Sequence, residues 1–585
     1  MSLFAALSTA VTSISSLNTA VRTVSDNVAN ANTETYNRRE ESFESLATGG
    51  VRIADIRRIA NEGLQRDLLA QTADAEGDRI RTALYDQVEQ LTGTINGDTP
   101  LGNSVERFRT AWKAFEAAPE SDAAQDEVIL AGRAIISEVQ RLSDGLDLVE
   151  NQTLVDVGNT VDRLNASLAE VDRLNNSIVR EKTSGRPTSA LENQRDKELE
   201  VVAGLLDIRT FKRDDGSISV YTSTGLDLTD RAASTFTWNS ATRQLTKTGS
   251  PSTDLVTGGQ LPDGELRALI NFIRTDQVAQ DSTGNGVATL EKLRNHLDEF
   301  AYNLVDNATR SSLSSLTMET TTTLGTLGLT AGDSFTINVG AGAVTVPSGA
   351  GALGAAIDTA DTVQNLLDEL NAIANVDARL TAHGKLEIST VNGTDLTLTE
   401  TNGTPLQTLG LISASPQTFA ARDPQTFANA YGTSTAATGE ATNFFEVETG
   451  TTPDSVSRTN IRVNDTLDNG TERLKQLSGT DVLGALNGTN RSIIGSSLSL
   501  VNEDYTGLAS GILTDLVKRS ETANTQRLAS ETLRSDLKQS LRDEVGVSVD
   551  EEMARLTVLQ NSYAASARVI NVINEMMETL ERAGA

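Results

Sequence analysis

Residues that commonly carry chemistry are few in this chain. It contains two histidines, His296 and His383, and no cysteine. The sequence predicts a helix around His296 and a hairpin turn at His383-Gly384, and nothing in this spacing pairs the two imidazoles. The lack of cysteine excludes disulfides, thiol catalysis and cysteine-ligated metals. We therefore predict neither a zinc site nor a nucleophile–histidine pair.

Two aspartate-containing stretches could suggest a cation site. They are Asp214-Asp215-Gly216 and residues 465–468. Neither has the ligand spacing of an EF-hand loop, and Asp followed by Gly is typical of turns. The sequence also has no glycine-rich phosphate loop. We therefore predict no catalytic, cofactor-binding or metal-binding residues, and a protein that is not an enzyme.

The net charge limits the classes of partner. The 585 residues have a formal net charge of −31, which disfavours binding to nucleic acid or to an anionic membrane. No stretch approaches the roughly 18 apolar residues of a membrane span. Residues 1–28 lack a basic segment followed by an apolar core, so we predict no cleaved signal peptide. We expect a cytoplasmic protein or one exported with an uncut N-terminus.

Both ends of the chain predict helices that need a partner. Near the start, apolar residues recur every three or four positions, at Leu7, Val11, Ile14 and Val21 among others. The end has the same spacing, at Leu556, Leu559, Tyr563, Ile570, Ile573, Met577 and Leu580. This spacing places one narrow apolar seam on each helix, as in coiled coils. The helices therefore pair with each other, with neighbouring subunits or with both; two amphipathic helices folded onto a core would give the same pattern.

The prolines separate helical flanks from a β-rich middle. None of the ten precedes Pro100 or follows Pro453, and seven lie between residues 251 and 453. Because proline breaks helices, long helices are expected in the flanks. The apolar spacing predicts helices over 54–95 and 493–541. It also predicts one long helix, or two in series, over 121–183.

We predict an elongated, multi-domain α+β protein with helical terminal and inner domains and β-rich outer domains. Each inner domain combines the two halves of the sequence. The predicted domains are a terminal helical assembly domain (1–35 with 545–585), a long-helix rod domain (36–186 with 485–544), a mixed β/α domain (187–319 with 416–484) and an acidic insertion module (320–415). The insertion module carries nine acidic and two basic residues, and its strands and helix predict a small core of its own.

Motifs at both ends resemble a known family. Residues 25–33, followed by Tyr36-Asn37-Arg38, are similar to the N-terminal signature "NNIANANTPGYSRQ" of flagellar rod, hook and hook-associated proteins. Asn27, Asn30 and Asn32 fall within this match, and Glu34-Thr35 replaces the family's Pro-Gly. Residues 546–567, with Gln560 and Tyr563, resemble the closing helix "G-V-x-x-D-E-E…L…Q…Y-x-A-x-A". The same asparagines can also form a C-cap cluster, since Asn tolerates the left-handed conformation.

Three features favour the hook-associated members of that family. They are Tyr36-x-Arg38, Asp550-Glu551-Glu552, and the segment 193–196 followed by Asp214-Asp215-Gly216, which is similar to "DQRD…DDGS". The insertion module resembles one seen in flagellins and filament-cap proteins.

The resemblance implies a structural protein that joins hook to filament and assembles through its terminal helices. The assembly residues would be the two seams together with Asn27, Asn30, Asn32, Tyr36 and Gln560. The implied partners are further copies of the chain, the hook protein, a second hook-associated junction protein and a flagellar export chaperone. The implied location is the extracellular flagellum, reached by type III export. The alternatives are a hook or filament protein, or a surface adhesin that uses the insertion module.

Overall fold

Helices and strands both contribute to the fold, which confirms the predicted α+β class. The computed structural model describes residues 3–33, 36–46, 50–92, 100–249, 254–274, 289–305, 309–340, 342–349, 351–390, 395–419, 444–447, 456–471, 474, 483, 486–489, 491–494 and 498–584.

The helices include two of more than 40 residues, α4 with 62 and α11 with 41. Their bounds are α1 Leu3–Ala29, α2 Glu62–Thr92, α3 Pro100–Ala117, α4 Asp122–Thr183, α5 Ser189–Leu205, α6 Glu265–Ile273, α7 Thr289–Val305, α8 Val363–Asn371, α9 Pro405–Thr408, α10 Asp465–Asp468, α11 Tyr505–Val545 and α12 Val549–Gly584.

The strands are short and form small antiparallel sheets. Their bounds are β1 Arg39–Ser45, β2 Val51–Arg58, β3 Ile208–Lys212, β4 Ile218–Thr222, β5 Asp227–Thr229, β6 Phe236–Asn239, β7 Gln244–Lys247, β8 Thr309–Leu313, β9 Ser334–Asn338, β10 Ala343–Val346, β11 Val376–Leu380, β12 Leu386–Thr390, β13 Leu396–Asn402, β14 Gln417–Phe419, β15 Phe445–Val447, β16 Ile461–Val463, β17 Arg491–Ile494 and β18 Ser499–Glu503. The sheet orders are β10-β9-β13-β14, β11-β12-β8 and β3-β4-β5, with hairpins β1-β2, β6-β7, β15-β16 and β17-β18.

The chain divides into two compact units. The first comprises residues 1–82, 153–271 and 523–585, and the second comprises residues 83–152 and 272–522. Each combines early and late parts of the sequence. The finer division into four domains stays a prediction.

The first unit contains the paired chain ends and the second half of α4. Val157, Val161, Leu164, Leu168 and Val171 of α4 are at most 2% exposed, so the seam predicted for this stretch is buried. The predicted long helix is one continuous helix.

The second unit contains an aromatic core and the core of the insertion module. Phe108 and Trp112 of α3 pack against Phe444, with ring centroids 5.1 and 6.1 Å away. A Cβ added at Gly132 of α4 would lie 2.4 Å from the Phe444 ring, so glycine is needed there. The insertion module has a separate core of apolar residues from Met318 to Ile412, strand and helix residues among them.

Two predicted helices begin later than expected. The helix predicted from residue 54 begins at Glu62, because Val51–Arg58 pairs as β2 with β1. The Asn61 side chain then accepts hydrogen bonds from the amides of Gly63 and Leu64, at 3.0 and 3.1 Å, and caps the helix. The helix predicted from residue 493 begins at Tyr505, after the β17-β18 hairpin.

Candidate assembly site at the paired terminal helices

The terminal helices pack against each other within the first unit. Ala20 and Val24 of α1 are fully buried and pack against Leu559 of α12, which is 8% exposed. The partly buried side chains of Leu17, Val21 and Leu556 pack around this core. The small Ala20 side chain permits a close approach of the two helices. The apolar seams thus form a helix pair, while any contact with neighbouring subunits stays a proposal.

The buried line of α1 lies one residue ahead of the predicted seam. Ala10 and Ala20 are buried, whereas the seam was placed on Val11 and Val21. Of the predicted residues, Leu7, Ile14 and Val21 are partly buried and Val11 is 52% exposed. The difference arises because most of the buried residues of α1 are small or polar, and a pattern of large apolar residues does not detect them.

On α12 the predicted seam faces inward over most of its length. Leu559 and Ile573 are buried. Leu556, Ile570 and Met577 are partly buried, while Gln560, Tyr563 and Leu580 are exposed.

The β1-β2 hairpin also packs against α1. Ser16 donates a hydrogen bond to the Val51 carbonyl oxygen over 2.8 Å. Gly50, immediately before β2, has a φ of 99°, and a Cβ there would lie 2.5 Å from the Thr12 hydroxyl. Backbone conformation and close approach therefore both require glycine at this position.

Asn27 fixes the path of the chain as it leaves α1. Its fully buried amide oxygen accepts hydrogen bonds from the Tyr36 hydroxyl at 2.9 Å and from the Arg39 amide at 3.0 Å. Its amide nitrogen donates to the Arg39 carbonyl oxygen at 2.9 Å. One side chain thus holds the chain at the point where β1 begins.

The other two asparagines are more exposed. The Asn30 side chain donates to the Asp26 carbonyl oxygen at 2.8 Å, and Asn32 is exposed. The expectation that these asparagines adopt the left-handed conformation is wrong for all three. Among the described residues, the non-glycine residues with a positive φ are Arg243 and Asn375.

The two end motifs contact each other. Arg38, from the Tyr-x-Arg motif, forms a 3.0 Å ion pair with Glu551 of the Asp-Glu-Glu motif. The Arg38 amide also donates to the carbonyl oxygen of Val545, at the end of α11. Residues more than 500 positions apart therefore form one junction.

Beside this junction lies a buried carboxylate that the sequence did not reveal. The Glu41 side chain is 0% exposed and pairs with Arg555 at 2.5 Å. Glu552 is 1% exposed. Burial raises the pKa of Glu41, and the nearby Glu552 adds to the rise while Arg555 opposes it. Burial likewise raises the pKa of Tyr36, and Arg39 opposes that rise.

The two parts of the third motif, residues 193–196 and residues 214–216, also contact each other. The buried Arg195 guanidinium donates to the Gly216 carbonyl oxygen at 2.8 Å and to Asn175 at 3.0 Å. The Asp215 carboxylate accepts from the Ser217 amide and hydroxyl, at 2.8 and 2.6 Å. These two bonds lower the pKa of Asp215. Asp215 thus stabilises the turn beside the buried arginine.

A second apolar face of α12 is exposed to solvent. Val558, Val569, Val572 and Met576 are 49–63% exposed. Together with Ala565, they recur at intervals of seven, four, three and four residues, which places them on one side of the helix. We did not predict this face, although its spacing can be read from the sequence.

The part of the chain that the structure describes gives little support for a metal site or a membrane-spanning helix. No group of three or more metal-ligating side chains converges there. None of the helices in those ranges is long and apolar enough to cross a membrane. The expectation that the histidines lie apart is wrong, because the His296 and His383 ring centroids are 4.9 Å apart.

Comparisons with known proteins point to one family. Residues 85–322 match the family model described as the flagellar hook-associated protein FlgK helical domain. Residues 544–583, which cover most of α12, match the C-terminal model of flagellar basal body rod FlgEFG proteins.

Individual relatives agree with the family models. The chain is 23% identical over 239 residues to flagellar hook-associated protein 1 of Bacillus subtilis (strain 168), and 21% identical over 234 residues to the protein of that name from Escherichia coli (strain K12). Each match covers 38% of this chain, and 47% and 42% of the respective relatives. The chain therefore spans less than half the length of the curated relatives it matches. The flagellar hook junction protein FlgK from Burkholderia pseudomallei is similar over 83% of this chain and 100% of its own, with 12% identity and a TM-score of 0.43.

Proposed function

Because the chain belongs to the FlgK family of flagellar hook-associated proteins, we propose that it is a structural protein of the flagellar axis that joins hook to filament. It assembles with further copies of itself through α1 and α12, and it has no catalytic role. Its other partners are the hook protein and a second hook-associated junction protein. An export chaperone accompanies it before it leaves the cell by type III export.

The observation that carries this proposal is the second apolar face of α12. One face of the helix packs on α1, and the other presents Val558, Val569, Val572 and Met576 to solvent. Burying each valine would contribute about 1.5–3 kcal/mol. The heptad-like spacing fits another helix better than an irregular surface. A neighbouring copy of the terminal pair supplies such a helix.

The proposal is tested by placing charge on this face alone. Val569→Asp/Val572→Asp puts two carboxylates where a neighbouring helix would pack, and an unpaired buried carboxylate is strongly unfavourable. In a strain that lacks the wild-type protein, we expect cells producing this variant to bear hooks without filaments. Electron microscopy of the flagella and a motility assay give the readout.

The matched control adds the same charge elsewhere on the helix. Asn571 and Asn574 are exposed, have the same spacing as the two valines and lie on the side of α12 away from the valine face. Asn571→Asp/Asn574→Asp should therefore retain filaments. Recovery of both variants from the culture medium excludes failed export as the cause. Normal filaments on cells producing the valine variant would contradict the proposed assembly surface.

A further inference from the structure

The one buried histidine of α7 has an unusual environment. His296 is 0% exposed, and neither ring nitrogen has a hydrogen-bond partner among the described residues. A neutral imidazole carries one N–H donor and one acceptor nitrogen, and leaving such atoms buried without partners costs free energy. The site therefore holds a histidine that the surrounding fold does not satisfy.

The insertion module brings the second histidine to this position. His383 occupies the turn between β11 and β12, and its ring centroid lies 4.9 Å from that of His296, with 54° between the ring planes. The buried Nε2 of His383 also lacks a partner among the residues described. Two unsatisfied imidazoles thus meet where the hairpin contacts α7.

An ion pair beside the histidines fastens the hairpin to α7. Glu299, one turn after His296, accepts hydrogen bonds from the Arg379 guanidinium at 3.0 and 3.2 Å and from the Ala382 amide at 2.6 Å. The Arg379 guanidinium also lies 3.4 Å from the centre of the Tyr302 ring. The histidines therefore belong to the contact surface of the hairpin.

The charges around the two rings oppose a further positive charge. Lys292 of α7, Arg519 of α11 and Lys385 of β11-β12 all disfavour a charged imidazole. The opposing carboxylates already have cationic partners. Glu299 binds Arg379, and Asp515 of α11 binds Arg519 at 2.8 Å. A proton on either ring would add a buried cation with no carboxylate of its own.

We propose that His296 and His383 form a proton-operated latch for the insertion module. With both rings neutral, the β11-β12 hairpin packs on α7. When either ring gains a proton, the hairpin separates from α7 while the core of the module stays folded. This inference does not depend on the proposed role in hook–filament joining.

The sign of the pH dependence follows from burial. Burial lowers the pKa of both histidines, that of His296 well below the usual 6.5, and the neighbouring cations add to this effect. The separated state therefore binds protons at a higher pH than the docked state. By linkage, docking is complete above about pH 6.5 and weakens as the pH falls below it.

Nuclear magnetic resonance can follow the latch directly, because the chain has only two histidines. Full-length protein labelled with ¹³C at histidine Cε1 should give two signals, which His296→Phe and His383→Phe assign. We expect both signals to titrate below about pH 6.5, the ordinary pKa of a solvent-exposed histidine. Titration of both at that value would overturn the proposal.

Hydrogen–deuterium exchange then tests whether protonation opens the contact. After correction for intrinsic exchange rates, peptides covering the turn at 381–385, where the Ala382 amide donates to Glu299, should lose protection between pH 7.5 and pH 5.0. Peptides from α8 in the same module should be unchanged. His296→Phe/His383→Phe keeps two rings without a charge and should abolish the difference.

Three results would overturn the latch. One is equal protection of the turn at 381–385 in the wild type at both pH values. Another is the same loss in the double phenylalanine variant. The third is a Zn²⁺-dependent rise in protection at pH 7.5 that EDTA reverses, since the pair would then be a metal clip. The wild-type titration keeps the proposal testable even if the double variant does not fold.

Discussion

The terminal helix pair and the insertion module differ in how much of their apolar surface is buried. The insertion module buries a continuous core that includes Phe335, Ile337, Leu366 and Leu398, all at 0% exposure. The α1–α12 core consists of Ala20, Val24 and Leu559 with three partly buried neighbours. A large core lets a segment fold on its own, whereas a small core needs a partner.

The exposed residues show the same contrast. Val558, Val569, Val572 and Met576 are large apolar side chains that are exposed on α12. The described parts of 320–415 have no exposed large apolar side chain. An exposed apolar face of this kind marks an interaction site. One region therefore buries its large apolar side chains, and the other leaves an apolar face open for the proposed assembly.

The largest expected effect comes from creating a cavity in the core of the insertion module. Phe335→Ala should destabilise the module by about 3–5 kcal/mol, because a buried aromatic side chain leaves a cavity. Chemical denaturation, followed by hydrogen exchange of peptides from 320–415, measures this loss. Exchange of α1 and α12 should stay unchanged. A parallel loss of protection there would show that the two regions do not fold separately.

A substitution in the inner seam should break the terminal pair without unfolding the rest. Ile573 is 5% exposed, so Ile573→Asp removes about 1.5–3 kcal/mol of burial and adds an unpaired charge. The pair opens before the larger cores, so the main thermal transition should stay in place. Faster exchange confined to α1 and α12, together with loss of motility, is the expected result. Unchanged exchange of both helices would contradict the claim that Ile573 holds α12 against α1.

The junction beside the pair should respond to pH in the opposite sense to the histidine latch. Burial raises the pKa of Glu41, so its contribution to packing is full below about pH 4.5 and declines as the pH rises through the folded value. Glu41→Gln removes the charge and should slow exchange of α1 at pH 8, by less than the two core substitutions change it. The difference between variant and wild type should disappear at pH 4.5. Faster exchange in the variant at pH 8 would show that the Arg555 ion pair dominates.

Removal of the insertion module should have the smallest effect on assembly. The Ser315 amide donates to the Gly410 carbonyl oxygen at 3.2 Å, so a short Gly-Ser linker can replace residues 316–409. Cells producing this variant should still carry filaments, which microscopy checks. Loss of filaments from a stable, exported variant would show that the insertion module makes an essential contact.

The sequence predicted what depends on regular spacing of large apolar residues. The long helix α4, its buried seam and the inner face of α12 all follow from that pattern. The seam of α1 was displaced by one residue because small and polar residues make up most of its buried line. Residues 54–58 of β2 were assigned to a helix, since Ile56 is compatible with either structure until β1 pairs with β2.

The interactions that could not be predicted from the sequence join residues that are far apart in the chain. Glu41 and Arg555 are far apart in the chain, and so are His296 and His383. No local pattern marks their contacts. The end motifs were recognised as signatures, but only the fold shows that Arg38 of one motif binds Glu551 of the other.

Hydrogen exchange of the monomer and of the assembled protein tests the central claim most directly. In a verified monomer, α1 and α12 should exchange fast and residues 130–180 slowly, because the small terminal core barely offsets the entropy of ordering two helices. On assembly, protection should rise on the Val558–Met576 stretch and on α1, while the insertion module stays unchanged. Equal protection of the ends and of residues 130–180 in the monomer, or ends that assembly leaves unprotected, would contradict the account.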